Sequence, residues 1–223
     1  MAPAMTCRLR RGISFCEVSG RFIFLDVDRD RYFCLGNEAE GAFRRLVRGL
    51  SSPADDPALA SLVEKGMLVR SAQGERPRPC PLPSAASQSL LDEARVARPL
   101  GIASALAGLL AASLRLKWLG LSRVLEEIRD AKGVVDRPPD RPDALEATAA
   151  CFQQAVILAS LPDKCLQRSV ALATRLLSRN VEVELIFGVR LGPFQAHCWV
   201  QQGTTLLNDR LDVVRTFTPI LVL

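Results

Sequence analysis

The chain has one histidine, His197, among 223 residues. Any imidazole proton transfer near neutral pH must run through this residue. The seven cysteines (Cys7, Cys16, Cys34, Cys80, Cys151, Cys165 and Cys198) are odd in number and form no C-x-x-C pair. They lack the paired spacings of a zinc knuckle or a disulfide framework, and with one histidine they make a poor ligand set, so no metal is expected. Most read as small buried hydrophobes in a reducing cytoplasm. Two Trp and one Tyr leave little to stack on bases. Charge is nearly balanced along the chain, with 13 Lys/Arg against 10 Asp/Glu in residues 1–80 and 16 against 14 in the rest. These features argue against nucleic-acid binding. No basic segment followed by an apolar run opens the chain, so no secretory signal is expected. The apolar stretch Leu100 to Leu114 is 15 residues long before Arg115. A span needs roughly 20, and a buried core helix is expected instead of membrane contact.

What is present reads as α+β in two domains. Residues 1–12 are expected to be a loosely attached lead-in. From Ile13 the pattern turns to period two, with strands over 13–18, 22–27 and 31–35 separated by turns at Ser19-Gly20 and Asp28-Arg29-Asp30. A helix follows, with Asn37 as its expected N-cap and Ala39, Ala42, Phe43, Leu46 and Leu50 on one face. A second starts near Asp56-Pro57, and Leu68-Val69 returns toward the sheet. Residues 1–70 thus form a winged-helix-like βββαα unit. Residues 71–89 carry four prolines among small polar residues, the composition of a linker. Residues 90–223 form the second domain. Its helices are expected over about 90–97, 100–118, 122–131 and 143–158, the last capped by Asp143.

The stretch from Cys165 to Asp209 carries the chemistry. Leu161-Pro162-Asp163 signals a helix start with Asp163 as N-cap, which puts Cys165 in the first turn. Unpaired N–H groups and the positive end of the helix dipole there stabilise a thiolate. The Cys165 N–H is a natural oxyanion donor, and a second, such as Gln153 or Gln154, is not distinguishable from sequence. A strand follows from Val181 to Val189, then a Gly192-Pro193 loop and a hairpin turning at Gly203. His197 and Asp209 lie six residues either side of that glycine. They are therefore expected to face each other on adjacent strands, within one residue if the turn holds a bulge. Cys198 points to the other face and reads as core. A cysteine, a histidine and an aspartate in this relation can act as nucleophile, base and orienting group.

The segment CLQRSVALATRLL, with FGVRLGPFQAHCWVQQ and LLND after it, resembles the transglutaminase-like branch of the papain superfamily. It resembles most closely the leader peptidase of lasso-peptide biosynthesis, the B protein. Cys165, Leu166, Arg168, Ser169, Ala171 and Leu172 match the family's helix. Gly188, Val189, Phe194, Ala196, His197, Trp199 and Val200 match its strand, and Asp209 the aspartate that follows. Cys198 stands where the family often has Ala. Residues 13–70 are similar to the PqqD-like domain that recognises leader peptides. The resemblance implies a cysteine peptidase with a Cys165–His197–Asp209 triad that removes the leader of a ribosomally made precursor. It implies leader binding as an added strand along Arg31, Tyr32, Phe33, Cys34 and Leu35, with Leu59, Leu62 and Val63 as an apolar wall. It also implies an asparagine-synthetase-like cyclase partner. ATP would belong to that partner, since this chain has no phosphate-binding loop and needs no cofactor of its own. Two other readings remain: an acyltransferase on the same triad, and a non-catalytic leader-binding protein.

Overall fold

Alternating Phe and polar residues in the first unit (residues 1–80) build a sheet with one aromatic face. The computed structural model describes residues 6–50, 56–71, 75–92, 97–135, 144–159 and 164–223. Strands β2 (Ile13–Val18), β3 (Arg21–Asp26) and β4 (Arg31–Cys34) form an antiparallel meander in the order β2-β3-β4. Phe15 lies opposite Phe24, and Phe24 opposite Phe33. Their rings stack at 5.6 and 5.2 Å. Phe43 of α1 (Asn37–Arg48) closes over them edge-on, 5.1 Å from both Phe15 and Phe24. Such pairs add about 0.5–1.5 kcal/mol each beyond area burial.

The two helix starts of the first unit compare differently with expectation. Gly36, not Asn37, occupies the N-cap of α1, and no side chain caps it. The first-turn glutamates supply the favourable charge instead. In α2 (Pro57–Glu64), Asp56 accepts a bond from the Ala58 N–H at 3.1 Å, with Pro57 at the first helical position.

Residues 6–12 are not a loose lead-in. Thr6–Leu9 (β1) pairs antiparallel with Leu68–Ser71 (β5) as a separate two-stranded sheet. The return strand after α2 therefore joins β1, not the meander. Arg10 then reaches the carboxylate of Asp26, 1% exposed, at 2.8 Å. A buried carboxylate needs such a partner, and the sequence pattern of the first twelve residues does not disclose it.

Nor are residues 75–89 simply a spacer. The Cys80 N–H donates to Phe15 O within the first unit. Gln88–Ser89 (β6) forms a parallel pair with Thr205–Leu206 (β9) of the second unit, residues 81–223. A 3-10 turn covers Leu90–Asp92, where the first helix of this domain is expected to begin; residues 93–96 of that expected helix lie outside the described residues.

The second unit lays helices on a five-stranded sheet of order β10-β7-β8-β9-β6, mostly antiparallel. It contains α3 (Pro99–Gly133), α4 (Ala144–Leu158), α5 (Cys165–Leu177), β7 (Glu184–Arg190), β8 (Gln195–Gln202), α6 (Leu211–Val214) and β10 (Thr218–Val222). The C-terminal residues, expected as a packed tail, supply α6 and the edge strand β10, which pairs with β7. Ser169, Val170, Ala171, Leu172, Ala173, Leu176 and Leu177 are buried around most of the circumference of α5, which packs on α3, α4 and β8. Helix α3 is broken at Gly120, whose φ of 78° suits glycine. Its first half is not the buried core helix expected. Ala105, Leu109 and Ala112 turn inward, but Leu106, Leu110, Leu114 and Trp118 are exposed. Among the described residues α3 alone is long and apolar enough to cross a membrane, with only 17% of that window buried. The expected caps Asp143 and Asp163 lie outside the described residues, and the N-cap position of α5 is held by Lys164.

Candidate active site

Cys165 is the first residue of α5. No side chain caps this helix end, so its N–H groups are available to other acceptors. Burial pushes the Cys165 thiol up, but hydrogen bonding and charge from His197, with backbone N–H bonds from Cys198 and Leu166, outweigh it and hold the pKa below 9.0. The contrast with its neighbours is direct. Burial raises Cys16 to about 12 and also raises Cys198 well above the ordinary range. Of these three buried or half-buried thiols, only Cys165 has a cation beside it.

His197 sits on β8 opposite Gly188. Its Nε2 lies 2.5 Å from Asp209 Oδ2, and the ring also hydrogen-bonds the Cys165 thiol. Burial lowers its basicity, but hydrogen bonds to Asp209 and Cys165 and their charges raise the pKa to about 9. The ring lies nearly parallel to Phe217 at 5.0 Å and to Trp199 at 6.2 Å. Gly188 permits this packing. A Cβ there would come within 2.7 Å of Trp199 and 2.9 Å of Phe217, contacts that real Cβ atoms do not make.

Asp209 reaches the imidazole by a different route from the one expected. The β8–β9 register pairs Gln201 with Leu206 and Gln202 with Thr205. That is one step away from the register that would face His197 with Asp209. A strand continued in it would set Asp209 opposite Cys198, on the face turned away from the imidazole. The backbone ladder stops after Leu207, whose N–H donates to Val200 O at 3.0 Å. Asn208 then substitutes side chain for backbone. Its Oδ1 accepts from the Val200 N–H at 2.8 Å, and its Nδ2 donates to Ser169 Oγ at 2.8 Å. Ser169, fully buried on α5, donates in turn to Cys198 O at 2.8 Å. Arg168 holds Asn208 O at 3.2 Å, and Ser89 Oγ holds Asp209 O at 2.6 Å. These contacts turn the chain so that Asp209 meets His197.

The structure thus brings Cys165, His197 and Asp209 together, with the two last side chains 18% and 14% exposed. A thiol with a lowered pKa, an imidazole with a raised one and an orienting carboxylate stand in one cluster, a constellation whose ion-paired form could attack a carbonyl and protonate a leaving group. Of the two glutamines considered as oxyanion donors, Gln153 is half-buried and lines a cavity beside Arg168 and Asn208, whereas Gln154 is exposed. No group of three His, Cys, Asp or Glu able to hold a metal occurs among the described residues.

Residues 106–222 match the family model described as the transglutaminase-like superfamily. The chain belongs to that superfamily. It is also 47% identical over 45 residues to the microcin J25-processing protein McjB of Escherichia coli, a match covering 20% of this chain and 22% of McjB. No solved structure matches. The transglutaminase-like region takes in most of α3 and everything after it, including all three residues of the constellation.

The residues suggested for leader binding lie in the first unit. Arg31 and Cys34 are exposed, and Tyr32, Phe33 and Leu35 are half-buried. Among the described strands β4 pairs only with β3, so its outer edge is open. Leu59 and Leu62 depart from expectation. At 0% and 4% exposure they belong to the core beneath Phe15 and Phe43, and Val63 is the partly exposed member of that wall. The helical period put all three on one side without showing how deeply that side is covered.

Asn208, Ser169 and Ser89 were not recognised from sequence. Asn208 and Ser169 sit inside quoted motifs, but their roles depend on where the β8–β9 ladder ends. Asn208→Ala is expected to leave the Val200 N–H unpartnered and the Ser169 hydroxyl with only its bond to Cys198 O, at a cost of about 1–3 kcal/mol. Thermal unfolding measures that loss. The freed Asp209 should let the His197 pKa drift down from about 9, which proton NMR of the lone imidazole reads without overlap.

Proposed function

We propose that this chain is a cysteine peptidase that binds the leader of a lasso-peptide precursor and cuts it from the core peptide. The observation that carries the reading is Cys165 at the start of a core helix, bonded to an imidazole that Asp209 orients. The Cys165 thiolate attacks the scissile carbonyl, and backbone N–H groups at the start of α5 receive the charge on oxygen. His197 gives its proton to the leaving amine, which frees the core peptide's N-terminus. His197 then takes a proton from water, the water opens the thioester, and the leader departs as a carboxylate. The similarity to McjB supports a peptide-processing role.

For the first unit, the proposal is a PqqD-like leader-recognition domain spanning residues 1–70. The leader adds as a strand on the open edge of β4, and Phe33, Leu35 and Val63 supply side-chain contacts. Tyr32, Arg31 and Cys34 line the same strand. The freed N-terminus would pass to a partner cyclase that uses ATP.

The test is the fate of a lasso precursor incubated with the chain and followed by mass spectrometry. The expected products are leader with a new carboxylate and intact core. A leader joined to an added amine, with no free leader, would replace hydrolysis with acyl transfer on the same residues, an outcome the superfamily chemistry permits.

The pH profile is a second check. The reactive form needs Cys165 ionised and His197 protonated. Because the Cys165 pKa lies below 9.0 and that of His197 is about 9, kcat/KM should rise as pH climbs through the first and fall as it passes the second. The limbs should approach tenfold per pH unit. A rate that keeps rising through pH 10 contradicts the ion pair.

A further inference from the structure

The second unit holds a cavity that the triad does not use. Its volume is about 230 Å³, and Phe152 and Val156 of α4, Leu172 of α5 and Leu207 form its apolar wall. Gln153, Arg168 and Asn208 stand among its lining as polar groups. Two observations tie it to the chemistry. Cys165, Arg168 and Leu172 are spaced to share one face of α5, and both Arg168 and Leu172 line the cavity. Asn208, which also lines it, is the residue that turns Asp209 toward His197. A larger cavity, about 500 Å³, borders Thr174, Leu177, Ser178 and Asn180 instead. It therefore lies toward the far end of α5, on the order of 15 Å along the axis from Cys165.

The smaller cavity falls below the roughly 300–1,000 Å³ of sites that enclose a whole small molecule. It fits one side chain of a longer ligand. Leu91, Ala149, Phe152, Val156, Ile157, Leu172 and Leu207 outnumber its three polar residues, so the matching side chain is apolar. Gln153 offers an amide to the backbone of the peptide that carries it.

We infer that this cavity is a specificity pocket that seats one apolar side chain of the peptide beside the scissile carbonyl. The inference rests on the reading of Cys165 as a nucleophile toward a peptide. Binding there positions the carbonyl over Cys165 and selects precursors by the bulk of that residue.

The test needs no precursor. The full chain is alkylated with a series of N-alkyl iodoacetamides from methyl to octyl, and the modification of Cys165 is quantified by peptide mass spectrometry. Rates are divided by those of the same reagents on N-acetylcysteine. The normalised Cys165 rate is expected to rise by about twofold to fourfold per added carbon until the pocket is full, then level. In Val156→Trp, which fills the pocket from the α4 side, the rise should be lost. The readout is a ratio between reagents, so a general change in reactivity does not mimic it. If Cys165 reacts much faster than N-acetylcysteine but is indifferent to chain length, the pocket is overturned while the nucleophile stands. A rise that persists unchanged in Val156→Trp also overturns it. A Cys165 no faster than N-acetylcysteine overturns the nucleophile and the pocket with it.

Discussion

Cys165→Ala is expected to abolish precursor cleavage, by at least ~10⁴-fold, and to leave the fold in place. The size follows from the proposed chemistry. A triad without its nucleophile keeps only binding and oxyanion stabilisation, and removing one member costs nearly as much as removing all. The fold should survive because Cys165 is only half-buried, at the end of α5, and the burying residues begin at Ser169. The buried cysteines are no substitute. Cys198, next in sequence to His197, is 2% exposed with its thiol held protonated by burial. Cleavage is followed by mass spectrometry and the fold by circular dichroism. Cleavage at an undiminished rate would leave a binding protein, with processing done elsewhere.

Asp209→Asn is expected to lower cleavage by about 10³–10⁴-fold, the scale seen when the orienting carboxylate of a triad becomes an amide. The same variant has a readout independent of substrate. His197 titrates near 9 because, against its burial, Asp209 and Cys165 hold the proton on it. With the carboxylate gone, its pKa should fall back toward 6.5. One histidine in the chain makes the NMR titration unambiguous. The sign of the stability effect follows. A histidine whose folded pKa is raised contributes stability that is fully present below about 6.5, the unfolded value. That contribution is lost as pH rises through about 9. Wild type should therefore exceed Asp209→Asn in stability most at pH 6 and converge with it above pH 9. A His197 pKa unmoved by the substitution would show that the short Nε2–Oδ2 contact carries no charge coupling.

The parts of the molecule written in local pattern were legible beforehand. The meander of β2, β3 and β4 follows from alternation between turn residues. Helix α2 follows from Asp56 and Pro57 at its start, and Cys165 at the head of α5 from the Leu-Pro-Asp signal before it. The parts that failed share a physical cause: they depend on a partner distant in sequence. Thr6–Leu9 looked structureless because its strand partner is some 60 residues away in β5. Gln88–Ser89 looked like linker because it pairs with β9, more than 100 residues on. The first half of α3 looked fully buried because composition reports apolarity but not how much of a helix its neighbours cover. Leu59 and Leu62 looked like a binding wall for the same reason.

The site divides along the same line. Reading the chain residue by residue is enough to show that one imidazole must serve any such chemistry, that a thiol stands at a helix N-terminus, and that an aspartate falls within a hairpin's reach of the histidine. These are statements of residue type and local spacing. That the three meet is a property of the packed chain. Hairpin symmetry about Gly203 pointed to the right pair for an incomplete reason, since the real register would have turned Asp209 to the wrong face. The contact depends on a ladder that ends at Leu207, on Asn208 replacing backbone with side chain, and on Ser169 and Ser89 reaching in from elements 39 and 120 residues away. Hydrogen bonds between such distant groups have no local signature, because they become possible only after α5, β8 and β6 have packed.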